Sequence, residues 1–558
     1  MTELSNAEIA AVLDRYGVML QLAGESPFRA RAYARAAESV RDSAEPVAAL
    51  HRRGRLRTLP GVGGGLAAAI AELVTTGEYG LLAELEAIVP SSLIELLSVP
   101  GIGLKTAIRL FQELGITNLE ALETALADRK IEQTKGLGKR TATTMWLGLE
   151  SVRRRTGRLR LGTARPIALA LLEQVRTVVP EAQVSLAGSV RRWEETVADI
   201  DLVVASPPGD RALDGVSLLP TVATILERGP ERARFRLQHG VEVDVFWSPP
   251  ERFGTTLLAA TGTPRHLQLL GDHTSGAATE NELYNRLGLP WIPPELRHGT
   301  DEVRRAAEIT ELITVSDING EFHCHTTWSD GTATVAEMAT AAAARGYTFL
   351  GISDHSQGLG VANGLSPERL AAQSAEIDAV NAQGGIRLLT GAEVEVHSDG
   401  RLDYDDDVLS RLDIAIASLH VGLRQPRAQL TGRLLDVLAN PNVDIVAHPS
   451  GRLIEQRDGG DFDWNRVFAA AAAAGTALEI NADPARLDLS ARHAARALAA
   501  GCLITINCDA HAPNGFAAID FGVAIARQAW AKPEQILNCW SLDQIDAWLD
   551  ERGSGRGP

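Results

Sequence analysis

Residues 323–331 read HCHTTWSDG: two imidazoles one residue apart, then a carboxylate at Asp330. In an extended segment residues i and i+2 share a face, so His323 and His325 address one centre and Cys324 turns away. Outward from this stretch, short apolar runs alternate with Ala-rich helical text. The runs are TFLGISDH (348–355), IRLLTGAEVEV (386–396), IAIASLH (414–420), VDIVAHP (443–449), TALEINA (476–482) and LITINCDAH (503–511). Strand–helix alternation over residues 317–558 predicts a parallel α/β barrel-like domain. Most of the runs finish in Asp, Glu or His, and barrels carry their sites at the C-terminal ends of strands.

Nine residues at those ends form one set of candidate ligands: His323, His325, Asp330, His355, Glu393, His420, His448, Asp509 and His511. The chain has 13 histidines, and six are in this set, so the clustering is not compositional. Imidazole mixed with carboxylate suits Zn, Mn or Fe rather than Ca. Nine donors exceed the needs of one tetrahedral ion, which implies two or three metals. Clusters of that kind clamp the oxygens of a phosphoester and lower the pKa of a bound water.

This region resembles the PHP (polymerase and histidinol phosphatase) family through HCHTTWSDG, GISDHS, GAEVEV, IASLH, VAHPSGR, EINADPARLDL and CDAH. The resemblance implies a distorted seven-stranded (β/α)7 barrel, a trinuclear site of Zn, Mn or Fe ions, and hydrolysis of phosphoesters. All nine of that family's ligand positions are filled.

The middle of the chain holds a second constellation. LAGSVRRWEETVADIDLVVAS (186–206) contains Gly188-Ser189, Arg191-Arg192 and Asp199-Ile-Asp201, and VEVDVFW (241–247) adds Asp244. Two carboxylates on one strand face plus a third on a neighbour can hold two Mg²⁺ or Mn²⁺ ions. The Gly-Ser turn offers backbone N–H groups to a triphosphate and the Arg pair offers charge, which is what nucleotidyl transfer requires. The segment resembles the nucleotidyltransferase core of family X DNA polymerases, with Asp199, Asp201 and Asp244 catalytic and Gly188, Ser189, Arg191, Arg192 and Gly262 binding the nucleotide. It departs from that pattern in AATGTPRHL (259–267). Ala259 and Ala260 replace an aromatic pair, Thr263 replaces Ser, and Leu267 replaces Asn. Ala198 replaces the usual Gly before Asp199.

The first 150 residues repeat a Gly-x-Gly turn before an Ala-rich helix: LPGVGGGLAAAI (59–70), VPGIGLKTAIRL (99–110) and TKGLGKRTATTM (134–145). Such turns present a helix N-terminus to phosphate without reading bases. Gly61, Gly63, Gly101, Gly103, Gly136 and Gly138 are the candidates, with Lys105, Lys135, Lys139 and Arg140 beside the second and third turns. The stretch resembles the Pol beta-like DNA-binding front end and helix-hairpin-helix repeats of family X. The lyase-competent members carry a lysine in the helix after the first turn. GGLAAAIAELV has none, and a Schiff base needs a primary amine, so no deoxyribose-phosphate lyase chemistry is expected there.

Charge follows this division. Residues 1–160 hold 21 Lys+Arg against 18 Asp+Glu, while the remainder holds 33 against 53. A basic front on an acidic body points to nucleic acid at the front. With 45% hydrophobic and 22% charged residues the chain is globular, and four cysteines are too few for a disulfide framework. The polar start MTELSNAEIA and the lack of an 18-residue apolar run lead us to expect no membrane association and a cytoplasmic location.

The expectation is therefore multidomain, in the architecture of bacterial PolX. Residues 1–90 would be a helical DNA-binding domain and 91–152 a fingers-like helical domain. An α+β nucleotidyltransferase palm with a thumb-like region would span 153–312, and the PHP barrel 316–558. The expected activity is a DNA repair enzyme, acting as a monomer on gapped, nicked or 3′-end DNA. It would add dNTPs at the palm and, at the barrel, remove nucleotides from 3′ ends or cleave at abasic sites or 3′-phosphates. The altered pocket raises a runner-up, a hydrolase using a degraded polymerase core as a DNA platform. A non-enzymatic DNA-end scaffold has no need of nine ligands, and a small-molecule phosphatase has no need of the helical front.

Overall fold

The computed structural model describes residues 4–553 except 5, 26, 42, 44, 78, 87, 100, 135, 156–157, 206–209, 239 and 272–273. Lys135 and the side chain of Arg140 therefore lie outside the described residues. Two compact units divide at 156/157, inside the basic stretch 153–166.

The first unit is all helix. In Asn6–Leu22 the residues Ile9, Leu13, Tyr16 and Leu20 recur at helical spacing, and all four are buried. They open an apolar core that continues to Leu149. The three turns are alike: Gly61, Gly101 and Gly136 have φ of +72°, +93° and +82°, a region open chiefly to glycine. The helices Gly64–Thr76, Leu104–Leu114 and Lys139–Arg155 follow them.

The second unit begins with a five-stranded sheet. Its spatial order is Val184–Leu186, Ile200–Ala205, Glu242–Ser248, Arg232–Leu237, Val222–Arg228. Ile200–Ala205 and Glu242–Ser248 run parallel, and the other pairings are antiparallel. Two of these strands, Val222–Arg228 and Arg232–Leu237, lie in a stretch to which the sequence analysis assigns no element. Val222–Arg228 is solvent-facing along nearly its whole length, so it carries no apolar alternation from which to read a strand. The helix Leu161–Val178 covers one face through Leu161, Ala164, Ala168, Leu171, Leu172 and Val175. A separate apolar cluster runs from Leu258 to Leu312, in the stretch expected to be thumb-like. At its edge Glu280 is buried, bridged by fully buried Arg297 at 2.5 Å and by Arg191 at 2.8 Å.

The barrel has seven parallel strands in one sheet, in sequence order from Gly320–Glu321 to Ile504–Asn507. A bridge between Cys324 and Ala510 joins its two ends. Helices cover the outside, so the strands are buried on both faces and read as unbroken apolar runs. Phe521 on the helix Ile519–Gln528 packs into both the barrel core and the palm core. Among the described residues, no single helix is long and apolar enough to cross a membrane.

Candidate active sites in the palm and barrel

The barrel gathers all nine candidate ligands at the C-terminal ends of its strands. Eight of them, all but Asp509, fall into three overlapping groups: His325, Asp330, His355 and His511; His323, His325 and Glu393; and Glu393, His420 and His448. Glu393 joins two of them. Its Oε1 lies 3.0 Å from His448 Nε2 and 3.5 Å from His420 Nε2; its Oε2 lies 2.7 Å from His355, 3.5 Å from His323 and 3.6 Å from His325. Asp509 Oδ1 stands 3.0 Å from His325 and 3.5 Å from His323. Burial alone would raise both carboxyls, but the surrounding imidazoles hold Glu393 and Asp509 well below the usual carboxylate range. Asp330 and His511 are the more exposed members and mark the mouth. Cys324 faces away, with its thiol toward Gly351 O at 3.4 Å.

The donor chemistry fits divalent cations. His323 Nε2, both ring nitrogens of His325, Glu393 Oε2, His448 Nδ1 and Asp509 Oδ1 are buried without a well-directed hydrogen bond. Buried polar atoms are normally satisfied, and so dense a group of N and O donors is what a metal would complete.

Two carboxylates outside the nine were missed by the sequence reading. Glu479 is fully buried and accepts four bonds: His323 Nδ1 at 2.8 Å, the His448 backbone N–H at 2.7 Å, Asn507 Nδ2 at 3.0 Å and Asn481 Nδ2 at 3.3 Å. Glu395 holds His420 Nδ1 at 2.6 Å. Each fixes a tautomer, leaving Nε2 to face the cluster. A signal was present, because Glu395 is two residues from Glu393 and Glu479 interrupts the apolar run TALEINA (476–482). Glu479→Gln presents an amide donor to groups that are themselves donors. We expect metal affinity about 10- to 100-fold weaker, measured by chelator competition; an unchanged affinity would refute the orienting role.

In the palm, sheet register brings the three aspartates together. Asp201 pairs directly with Asp244 across the parallel strands, and Asp199 precedes the first strand by one residue. Burial, then the charges of Asp199 and Asp244, push the Asp201 carboxyl up to about 7. Three crowded carboxylates are a site for cations. Two arginines that the sequence reading did not single out share this site. Arg234 forks onto Asp244 at 2.9 Å and 2.9 Å, and Arg232 adds a bond at 2.7 Å. Against the cost of burial, those bonds hold Asp244 below its usual range.

Gly188 has φ +59°, and a Cβ there would stand 1.7 Å from Asp201 Oδ2. The Gly188–Arg191 turn is thus pressed against the metal strand, with Ser189 on it. Arg191 is engaged with Glu280 and with Thr261 Oγ1 at 2.9 Å; Arg192 donates to Thr261 O at 2.6 Å and Glu194 at 3.1 Å. A triphosphate would have to compete for both. Gly262 ends the helix Phe253–Thr261, and Thr263 caps the next by accepting from the His266 N–H. Ala259 is exposed, whereas Leu267 packs into the thumb-like core.

In the helical unit, Gly63, Gly103 and Gly138 leave open space where a Cβ would stand. Gly63 and Gly103 have extended backbone that any residue could adopt. Neither strain nor internal crowding demands glycine at these two positions, which leaves room for close external approach to the helix N-terminus. Lys105 and Lys139 each lie in the first turn of the following helix.

The chain matches the description "Helix-hairpin-helix domain" over residues 4–79 and "SAM-like Helix-hairpin-helix tandem" over 93–151. It matches "PHP domain" over 321–481. It is 35% identical to the Bacillus subtilis (strain 168) "DNA polymerase/3'-5' exonuclease PolX" across 97% of this chain and 99% of that protein. A "Probable phosphatase" of Syntrophotalea carbinolica is 25% identical over 37% of this chain and 85% of its own length. A "Probable phosphatase" of Shewanella sediminis is 29% identical over 30% and 70%. The likeness to the Bacillus protein runs almost from end to end of both chains, and the chain belongs to the bacterial PolX family of polymerase–PHP fusion proteins.

Proposed function

We propose that this protein repairs DNA at gaps, nicks and 3′ ends, adding nucleotides at the palm and hydrolysing 3′-terminal phosphoesters at the barrel. The observation that carries this is one compact unit holding both the registered Asp199–Asp201–Asp244 site and the nine-ligand cluster. The helical unit binds the DNA backbone through Gly61, Gly63, Gly101, Gly103, Gly136, Gly138, Lys105 and Lys139, and the chain acts as a monomer. Because the contacts are to phosphate, binding is independent of sequence and weakened by salt.

Asp199, Asp201 and Asp244 would hold two Mg²⁺ or Mn²⁺ ions, and the nine barrel residues two or three Zn²⁺, Mn²⁺ or Fe ions. Bound there, these ions would neutralise phosphate charge and lower the pKa of an attacking hydroxyl or water. The chain's own groups do the rest. The Gly188-Ser189 turn and the first turn of its helix aim N–H groups and the Ser189 hydroxyl at a triphosphate. Gly262 joins two helices at the nucleotide pocket, where a Cβ would crowd His266 and Leu267 at 3.0 Å. Arg232 and Arg234 keep Asp244 ionised and fixed. In the barrel, Glu479 and Glu395 hold His323 and His420 in one tautomer, and Arg486, 3.9 Å from Asp509, supplies a cation for the substrate phosphate.

The runner-up, hydrolysis alone on a polymerase frame, is favoured by one feature: Ala259, Ala260 and Leu267 leave the pocket without aromatic packing or the Asn hydrogen bond. A labelled primer–template with a short gap separates the two. It is incubated with Mn²⁺, with and without dNTPs, beside Asp199→Ala/Asp201→Ala and His323→Ala/His325→Ala variants. We expect extension lost only in the aspartate variant and shortening lost only in the histidine variant. Shortening without any extension would leave the hydrolase reading standing alone.

A further inference from the structure

Between the nucleotide turn and the catalytic aspartates runs the segment 192–198, and much of what holds it comes from the barrel domain. Its own regular structure is a two-residue ladder, Thr196–Val197 with Leu159–Arg160. Trp193 adopts φ +58°, a conformation that L residues keep only when their surroundings impose it. Those surroundings are specific. Phe521 meets the Trp193 ring edge-on at 5.4 Å, and Arg165 lies over it at 3.7 Å. Gln528 Nε2 donates to the carbonyls of Arg192 at 3.1 Å and Trp193 at 3.2 Å. Arg452 forks onto the Glu195 carboxylate at 3.0 Å and 2.6 Å. Phe521, Gln528 and Arg452 all belong to the barrel.

Arg452 is also part of the hydrolase site's scaffold. It follows the ligand His448 by four residues and donates to Leu487 O. Its backbone N–H bonds Ser450 Oγ, and the Ser450 N–H bonds Asp488. Glu195 in turn precedes Asp199 by four residues, and its carbonyl accepts the Leu161 N–H at 3.0 Å. Two loops, each leading to a metal site, are therefore joined by one planar fork that sets orientation as well as distance.

We infer that Arg452, seconded by Gln528, is a positioning residue for nucleotidyl transfer: the hydrolase domain holds the loop that places Asp199 and Asp201. This rests on the palm being a nucleotidyl-transfer site. The barrel is then a structural part of the polymerase as well as its hydrolytic companion. A misplacement near 1 Å at a catalytic group is enough to cost about 100-fold in rate, so a loop that loses its fork has room to show an effect.

The test uses the full chain and gap filling, with rates followed against dNTP and Mn²⁺ concentration. Wild type is compared with Arg452→Ala, Arg452→Lys, Glu195→Gln, Gln528→Ala and Arg452→Ala/Glu195→Gln. We expect Arg452→Ala to lower kcat about tenfold and to raise the half-saturating Mn²⁺ concentration several-fold. Arg452→Lys, which keeps charge but not the fork, should recover only part. The double variant should be no worse than the worse single. Unchanged palm kinetics in Arg452→Ala, additive losses, or a loss confined to hydrolysis would overturn the inference. If Arg452→Ala does not fold, Glu195→Gln and Gln528→Ala carry the same expectation. If wild type extends no primer, the functional reading fails by itself. The variants are then read by Mn²⁺–dNTP binding in electron paramagnetic resonance, in a His323→Ala/His325→Ala background. Weaker binding in Arg452→Ala supports the positioning role, and equal binding ends it.

Discussion

Glu393→Gln should lower hydrolysis of a 3′-terminal nucleotide by on the order of 10³-fold while leaving primer extension in place. Glu393 is the carboxylate shared by two ligand groups, with one oxygen facing His420 and His448 and the other facing His323, His325 and His355. Glutamine keeps the volume but replaces one oxygen with an NH₂ that cannot ligate, and it removes a negative charge from a buried ring of imidazoles. Metal clusters contribute several kcal/mol of transition-state charge stabilisation. Losing about 4 kcal/mol of that is three factors of ten in rate. The assay is release of a labelled 3′ nucleotide from single-stranded and gapped DNA, with metal content measured on the same preparation. Hydrolysis and metal content both at wild-type level would show that Glu393 bridges nothing. Loss of extension together with hydrolysis would show damage reaching beyond the cluster.

Gly188→Ala should have the opposite selectivity. The new Cβ would lie 1.7 Å from Asp201 Oδ2 and would sit at φ +59°. Either the turn retreats or Asp201 swings away, and each outcome separates the nucleotide phosphates from the ions. A displacement of about 1 Å is worth about 100-fold, and two groups move here, so we expect extension to fall by at least about 100-fold. Neither residue is one of the nine barrel ligands, so hydrolysis should persist at near wild-type rate. Gap filling scored with and without dNTPs reads both in one lane. Extension within a few-fold of wild type would mean that Asp201 does not work from the position it holds here.

The two expectations rest on features of different legibility. The barrel could be read from its sequence because parallel strands buried on both faces leave unbroken apolar runs, and most of the runs end in a ligand-type residue. The nine-ligand set follows from that, as does the outward turn of Cys324. The palm aspartates were legible from Asp-x-Asp and a third strand Asp. The strand Val222–Arg228 was not, because it is solvent-facing nearly throughout and has no buried face to set a period; Arg232–Leu237 does alternate, as Arg-Ala-Arg-Phe-Arg-Leu, and was passed over. Nor could spacing reveal that Arg191 is committed to Glu280, which lies 89 residues away.

Composition, period and motif spacing by themselves determined the order of helical front, α+β middle and barrel, the residue types offered for the chemistry of both candidate sites, and the lysine-free helix after the first Gly-x-Gly turn. These are local properties: strand period, helix period and residue type at an element's end are written within a few residues of one another. Tertiary structure alone decided which groups support that chemistry. Glu479 reaches His323 across 156 residues, Arg234 crosses a strand register to Asp244, and Arg452 reaches Glu195 across 257. Such partners are chosen by how the sheets close and how the palm packs on the barrel, a geometry that no short stretch of chain encodes.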